Sequence, residues 1–87
     1  MRVKPYSTLR IAYTDSITLE PETEAVPDRA ALLQGDGVAD EHKVEGGALK
    51  LPRIYAPNTV RINWYQGEDL LFTTFLVVVT RHYFNIG

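Results

Sequence analysis

The chain has 87 residues, nine basic and eleven acidic side chains, and no cysteine. A length below ~100 residues implies one domain with a small core. With 45% hydrophobic residues and a net charge of −2, a disordered chain is excluded. The absence of cysteine excludes a disulfide scaffold, a thiolate metal site and a cysteine nucleophile. A pI near 5.6 argues against sequence-specific nucleic-acid binding, which wants a basic patch.

The opening Met1-Arg2-Val3-Lys4-Pro5 is basic but leads into no apolar run, so no secretory signal is expected. The longest uncharged stretch runs from Leu70 to Thr80. It is too short for a transmembrane helix, which needs ~20 residues. These features predict a soluble protein made in the cytoplasm, without membrane contact.

Three parts follow in order. In the first, Leu9, Ile11 and Tyr13 alternate with Thr8, Arg10 and Ala12, the period of a half-buried strand. Asp15-Ser16 suits a turn, and Ile17 and Leu19 resume the alternation to Glu20. This is either one hairpin or one strand broken by a bulge. Pro21 ends it, because proline cannot donate to a ladder.

The second part, 21–57, is acidic, loop-rich and weakly patterned. Residues 28–34 fit about two turns of helix, with Pro27 at its start and Gly35 just past its end. Such a short helix is marginal without packing. His42 to Glu45 and Ala48 to Leu51 fit a short hairpin around Gly46-Gly47. Pro52 and Pro57 confine any strand at Ile54-Tyr55 to a short or edge position.

The third part, 58–87, predicts a C-terminal hairpin over 60–86. Gly67-Glu68 suits a two-residue turn with glycine first, which sets Gln66 opposite Asp69. Counting outward, Trp64 meets Leu71, Ile62 meets Thr73 and Val60 meets Phe75. The predicted core face is therefore Val60, Ile62, Trp64, Leu71, Phe75 and Val77, continuing to Val79. The opposite face carries Arg61, Asn63 and Tyr65 on one strand but Leu70, Phe72, Leu76 and Val78 on the other. A strand apolar on both faces needs a second covering layer. Unbroken to Ile86, that strand would span roughly 56 Å at ~3.3 Å per residue. A domain of this length is ~31 Å across by size scaling. The segment is thus either a bent strand closing its own sheet or an arm that adds to a neighbour. Leu76, Val78, Tyr83, Phe84 and Ile86 are the candidate interface residues.

Groups that carry chemistry are few. Asp36, Asp40, Glu41 and His42 lie close together but match no calcium-loop spacing. Only His42 and His82 exist, so a three-histidine zinc site is excluded. Ser7 and Ser16 sit in no nucleophile motif, and the glycines form no phosphate loop. Trp64, Tyr65, Phe72 and Phe75 are too evenly divided between two faces, with too few basic neighbours, for a base-stacking platform. No catalytic residue, metal or cofactor is expected.

Charge is unevenly spread. From Glu20 to Glu45 eight acids stand against Arg29 and Lys43, a net of −6, and the rest carries +4. Complementary fields of this kind steer head-to-tail association. The sequence predicts an all-β chain, a small antiparallel sandwich or barrel that serves as a structural subunit and binds copies of itself or other structural proteins. The alternative is an adaptor module that takes a peptide at a sheet edge. A small enzyme or metal protein is the weakest of three readings.

The stretch Pro57 to Tyr65, the turn at Gln66–Asp69 and the long strand after it resemble, in size and style, small structural proteins of tailed-bacteriophage particles. These are head-tail connectors, stoppers and capsid decoration proteins. The resemblance implies a virion protein in a ring or lattice, without catalysis. It carries no diagnostic motif and assigns no residue.

Overall fold

The computed structural model describes residues 1–12, 17–35, 37, 39–51, 54–55 and 57–79. The turn expected at Asp15-Ser16, together with Asp36, His82 and the tail residues Tyr83, Phe84 and Ile86, lies outside them. The described chain is all-β, with eight strands in two sheets. These are β1 (Arg2–Val3), β2 (Thr8–Ala12), β3 (Ile17–Pro21), β4 (Arg29–Gln34), β5 (Asp40–Lys43), β6 (Leu49–Leu51), β7 (Asn58–Gln66) and β8 (Asp69–Val79). A three-stranded sheet has the order β1-β3-β6, and a five-stranded sheet the order β2-β8-β7-β4-β5. Both are open, so the architecture is a sandwich and not a closed barrel. The sheets are mixed, because β1 pairs parallel with β3 and β2 pairs parallel with β8.

One core lies between the sheets. The small sheet contributes Val3, Ile17, Leu19, Leu49 and Leu51, and the large one Ile11, Ala30, Leu32, Val60, Ile62, Trp64, Phe72, Leu76 and Val78. Strand alternation accounts for this: Ile17 and Leu19 point inward opposite Leu51 and Leu49, while Thr18 and Glu20 point out. β2 and β3 belong to different sheets, so the N-terminal part is neither a hairpin nor one bulged strand.

Residues 28–34 are not helical. β4 lies between β7 and β5, with its ladder satisfied on both sides. Two helical turns would satisfy few backbone groups, so tertiary pairing overrides local preference. Its alanines have a use here, since Ala30 stands opposite Trp64 and leaves room for the indole. The middle of the chain thus supplies β4, β5 and β6 between its loops. Gly46 and Gly47 both have positive φ (60° and 76°), and Glu45 and Ala48 close the turn between them. The arms then part, β5 to one sheet and β6 to the other.

The C-terminal hairpin turns where expected. Gly67 has φ 59° and Gln66 faces Asp69. Between Trp64 and Tyr65, however, the register shifts. Tyr65 pairs with Leu70 and Trp64 with Phe72, so Leu71 is an extra residue in β8. A one-residue slip moves every later side chain to the other face. Val60, Ile62 and Trp64 are fully buried. Their neighbours on β8 are Leu76, Thr74 and Phe72 and not the expected Phe75, Thr73 and Leu71. Phe75 is 40% exposed on the outer face, Val77 is half-buried there, and Leu71 only flanks the core. Conversely, Leu76 and Val78 are buried within their own chain and are not free for an interface.

The bulged register satisfies the indole. Trp64 stacks on Phe72, ring centroids 5.9 Å apart, and its Nε1–H donates to Thr74 Oγ1 at 2.9 Å in the buried core. Thr74→Val should leave that donor without an acceptor at a cost of ~1–3 kcal/mol. The melting temperature is expected to fall by roughly 4–8 °C for each kcal/mol lost. An unchanged melting temperature would contradict the contact.

Candidate protein-interaction surface

The two outer faces differ. On the small sheet, Arg2, Thr18, Glu20 and Lys50 face out, and Arg2 pairs with Glu22 at 3.2 Å. On the large sheet the outward set includes Phe75, Val77 and Val79 on β8, Ala31 and Leu33 on β4, and Ala12 on β2. Arg61 lies between Leu33 and Phe75 in register. The apolar row therefore runs along β8, with Ala12 beside Val79, while the outward residues of β7 that separate it from Leu33 are polar.

One end of this face is closed by a polar network. The Arg29 guanidinium lies 4.2 Å from the centre of the Tyr65 ring. It donates to the Glu41 carboxylate and, at 3.0 Å, to the Gly67 carbonyl. Gly67 N–H donates to Asp28 Oδ2 at 2.9 Å, which ties the hairpin turn to the start of β4. Arg10 and Arg61 make no ion pair among the described residues.

The two lateral edges also differ. β5 reads Asp-Glu-His-Lys, charges that discourage unspecific edge pairing. β2 reads Thr-Leu-Arg-Ile-Ala and, among the described residues, pairs only with β8. Ahead of β2, Lys4-Pro5-Tyr6-Ser7 forms a turn in which Ser7 N–H donates to Lys4 O at 3.2 Å. Tyr6 takes φ 61°, a position that favours glycine. Its ring meets Phe72 edge-on at 6.4 Å, and its hydroxyl donates to Leu71 O at 3.3 Å.

Among the described residues the groups with chemical capacity do not converge. Strand alternation puts Asp40 and His42 on one face of β5 and Glu41 on the other. His42 Nε2 lies 2.9 Å from Asp40 Oδ2. Among the described residues no three metal-ligating side chains gather. Ser7 Oγ donates to Lys4 O at 2.6 Å and to no side chain among the described residues. Trp64 and Phe72 are buried together on the core face, whereas the sequence reading split them between two faces. No protein-family model, curated protein or solved structure matches the chain.

The surface residues that sequence reasoning missed are Thr8, Arg10 and Ala12 on β2 and Leu33 on β4. Alternation marked the β2 residues as the outer side of a strand. Nothing in the sequence marked β2 as a sheet edge, which is a property of topology.

Proposed function

We propose that the chain is a non-enzymatic structural subunit of a multimeric assembly, bound to copies of itself or to other structural proteins. The observation that carries this reading is the outer face of the large sheet. Phe75 is exposed there, half-buried Val77 and Val79 continue its row along β8, and half-buried Leu33 lies across Arg61 from Phe75, while the small sheet turns polar residues to solvent. An apolar row left partly open on a sheet face, rimmed by Thr8, Arg10, Thr59 and Arg61, has the make-up of an interaction site. The resemblance to small structural proteins of tailed-phage particles favours a virion as that assembly, with the chain made in the cytoplasm and then incorporated. An adaptor that takes an extended peptide is the second reading, favoured by the side of β2 that has no strand partner among the described residues.

Mass measurement of the native complex tests the proposal. The wild-type chain is expected in a species several times the 9.8 kDa of one copy, or bound to a second structural protein. Phe75→Lys should release monomer with little change in melting temperature, because the ring is already 40% exposed. A wild-type chain isolated natively as a free monomer overturns the proposal. So does a complex indifferent to Phe75→Lys.

A further inference from the structure

We infer that copies of this chain join head to tail, with the β2 edge of one copy adding antiparallel to the β5 edge of the next. The inference rests on the assembly reading and names the contact between copies.

Backbone geometry comes first. Phe75 N–H donates to Ser7 O at 2.9 Å. In a parallel pair the bonding residues alternate, so Leu9 and Ile11 bond to β8. Thr8, Arg10 and Ala12 then turn their peptide groups away from the sheet. On the other edge, Val44 N–H donates to Asp28 O at 3.0 Å. The same alternation makes His42 and Asp40 bond to β4, and Glu41 and Lys43 turn their peptide groups outward. Each edge thus offers a short row of unpaired donors and acceptors, with no strand partner among the described residues.

Direction and face agree. β2 runs with β8, against β7, with β4 and against β5. A neighbour placed beside the molecule in the same orientation therefore presents β2 antiparallel to β5, with its outer face on the same side. Outward-bonding residues must then stand opposite each other. Arg10 faces either Glu41 or Lys43, and charge selects Glu41. Thr8 then meets Lys43 and Ala12 meets Ala39. Arg10 has no ion-pair partner among the described residues of its own chain. Glu41 accepts from Arg29 through Oε1. A carboxylate has acceptor sites enough for a second arginine. The contact is heterologous, so repetition gives a ring if the rotation closes and a filament if it does not. It also joins the outer faces around Phe75 into a continuous belt.

Two proline variants test this. Arg10→Pro and Glu41→Pro each remove an outward N–H and leave the chain's own ladder intact. Melting temperature and the near-ultraviolet signal of Trp64 check that each variant folds. By sedimentation, the wild type is expected to grow beyond dimer as concentration rises. Each variant alone should stay at 9.8 kDa, because it has lost one of the two edges that repetition needs and its remaining edge has no partner. Mixed together, the two should form a 1:1 dimer of twice that mass and nothing larger, because each supplies the edge the other lacks. Dimers of Glu41→Pro alone would mean symmetric β2 pairing, and dimers of Arg10→Pro alone symmetric β5 pairing. Either overturns the inference, as does a wild type that stays monomeric up to the millimolar range. Loss of the native complex by Phe75→Lys, with no effect of either proline, overturns the edge contact and leaves the assembly reading standing.

Discussion

Trp64→Ala is expected to leave little folded protein. The indole is fully buried at the centre of the five-stranded sheet. Ala30 stands beside it on β4 and Phe72 stacks on it from β8. Removing a large buried aromatic typically costs ~3–5 kcal/mol, since the lost transfer energy is joined by that of the cavity left behind. Small domains are stable by only ~5–15 kcal/mol, and this short chain with its small core belongs at the low end. Truncation also strands Thr74 Oγ1 without its donor. Urea unfolding followed by far-ultraviolet dichroism measures the loss. Trp64 fluorescence supplies a second reading in the wild type: emission should be blue-shifted when folded and move red on unfolding. Emission typical of a wet indole in the native state would falsify the placement of Trp64.

The all-β class, the β7–β8 turn and the inward set Val60, Ile62 and Trp64 were legible because they rest on local signals. Alternation has one answer on β7, where Arg61, Asn63 and Tyr65 are polar or amphipathic. It has two on β8, where Leu71, Phe75 and Val77 form as good an apolar row as Phe72, Leu76 and Val78. The bulge at Leu71 decides between them, and no residue type announces it. The deciding terms are tertiary: the hydrogen bond from Trp64 to Thr74, the stack on Phe72, and the arrival of Leu9 and Ile11 beside Leu76 and Val78. The helix expected over 28–34 failed for a related reason. Pro27 and Gly35 suited the ends of a short helix locally, but β7 and β5 offered ladders on both sides. The candidate surface was legible only as a requirement that β8 be covered twice. Which side its own chain would cover followed from the bulge. The overlong strand expected from the sequence ran from Leu70 to Ile86, and residues 80–86 lie outside the described ones. The eleven described residues of β8, Asp69–Val79, fit within the 44 Å long dimension of the molecule.

The paired variants Val78→Asp and Val77→Asp separate the two registers directly. Val78 is 2% exposed, beside Ile11 on β2 and Asn58 on β7, with its side chain in the core. A carboxylate there loses the apolar burial and finds no cation among the core residues around it. Burying an unpaired charge costs on the order of 4 kcal/mol or more, enough to unfold a small domain. Val77 is half-buried on the outer face, beside Arg10 and Thr59. A carboxylate at that position stays hydrated and gains an arginine neighbour. Its cost to folding is expected to be about 1 kcal/mol, the central value for point substitutions. Its effect should fall instead on association, because Val77 adjoins Phe75 on the proposed contact face. Val78→Asp should therefore lose the cooperative thermal transition, while Val77→Asp keeps it and reduces the mass of the native complex. The unbulged hairpin predicts the reverse order of stabilities. If Val77→Asp unfolds the chain and Val78→Asp does not, the outer face is the wrong one, and the surface built on Phe75 falls with it.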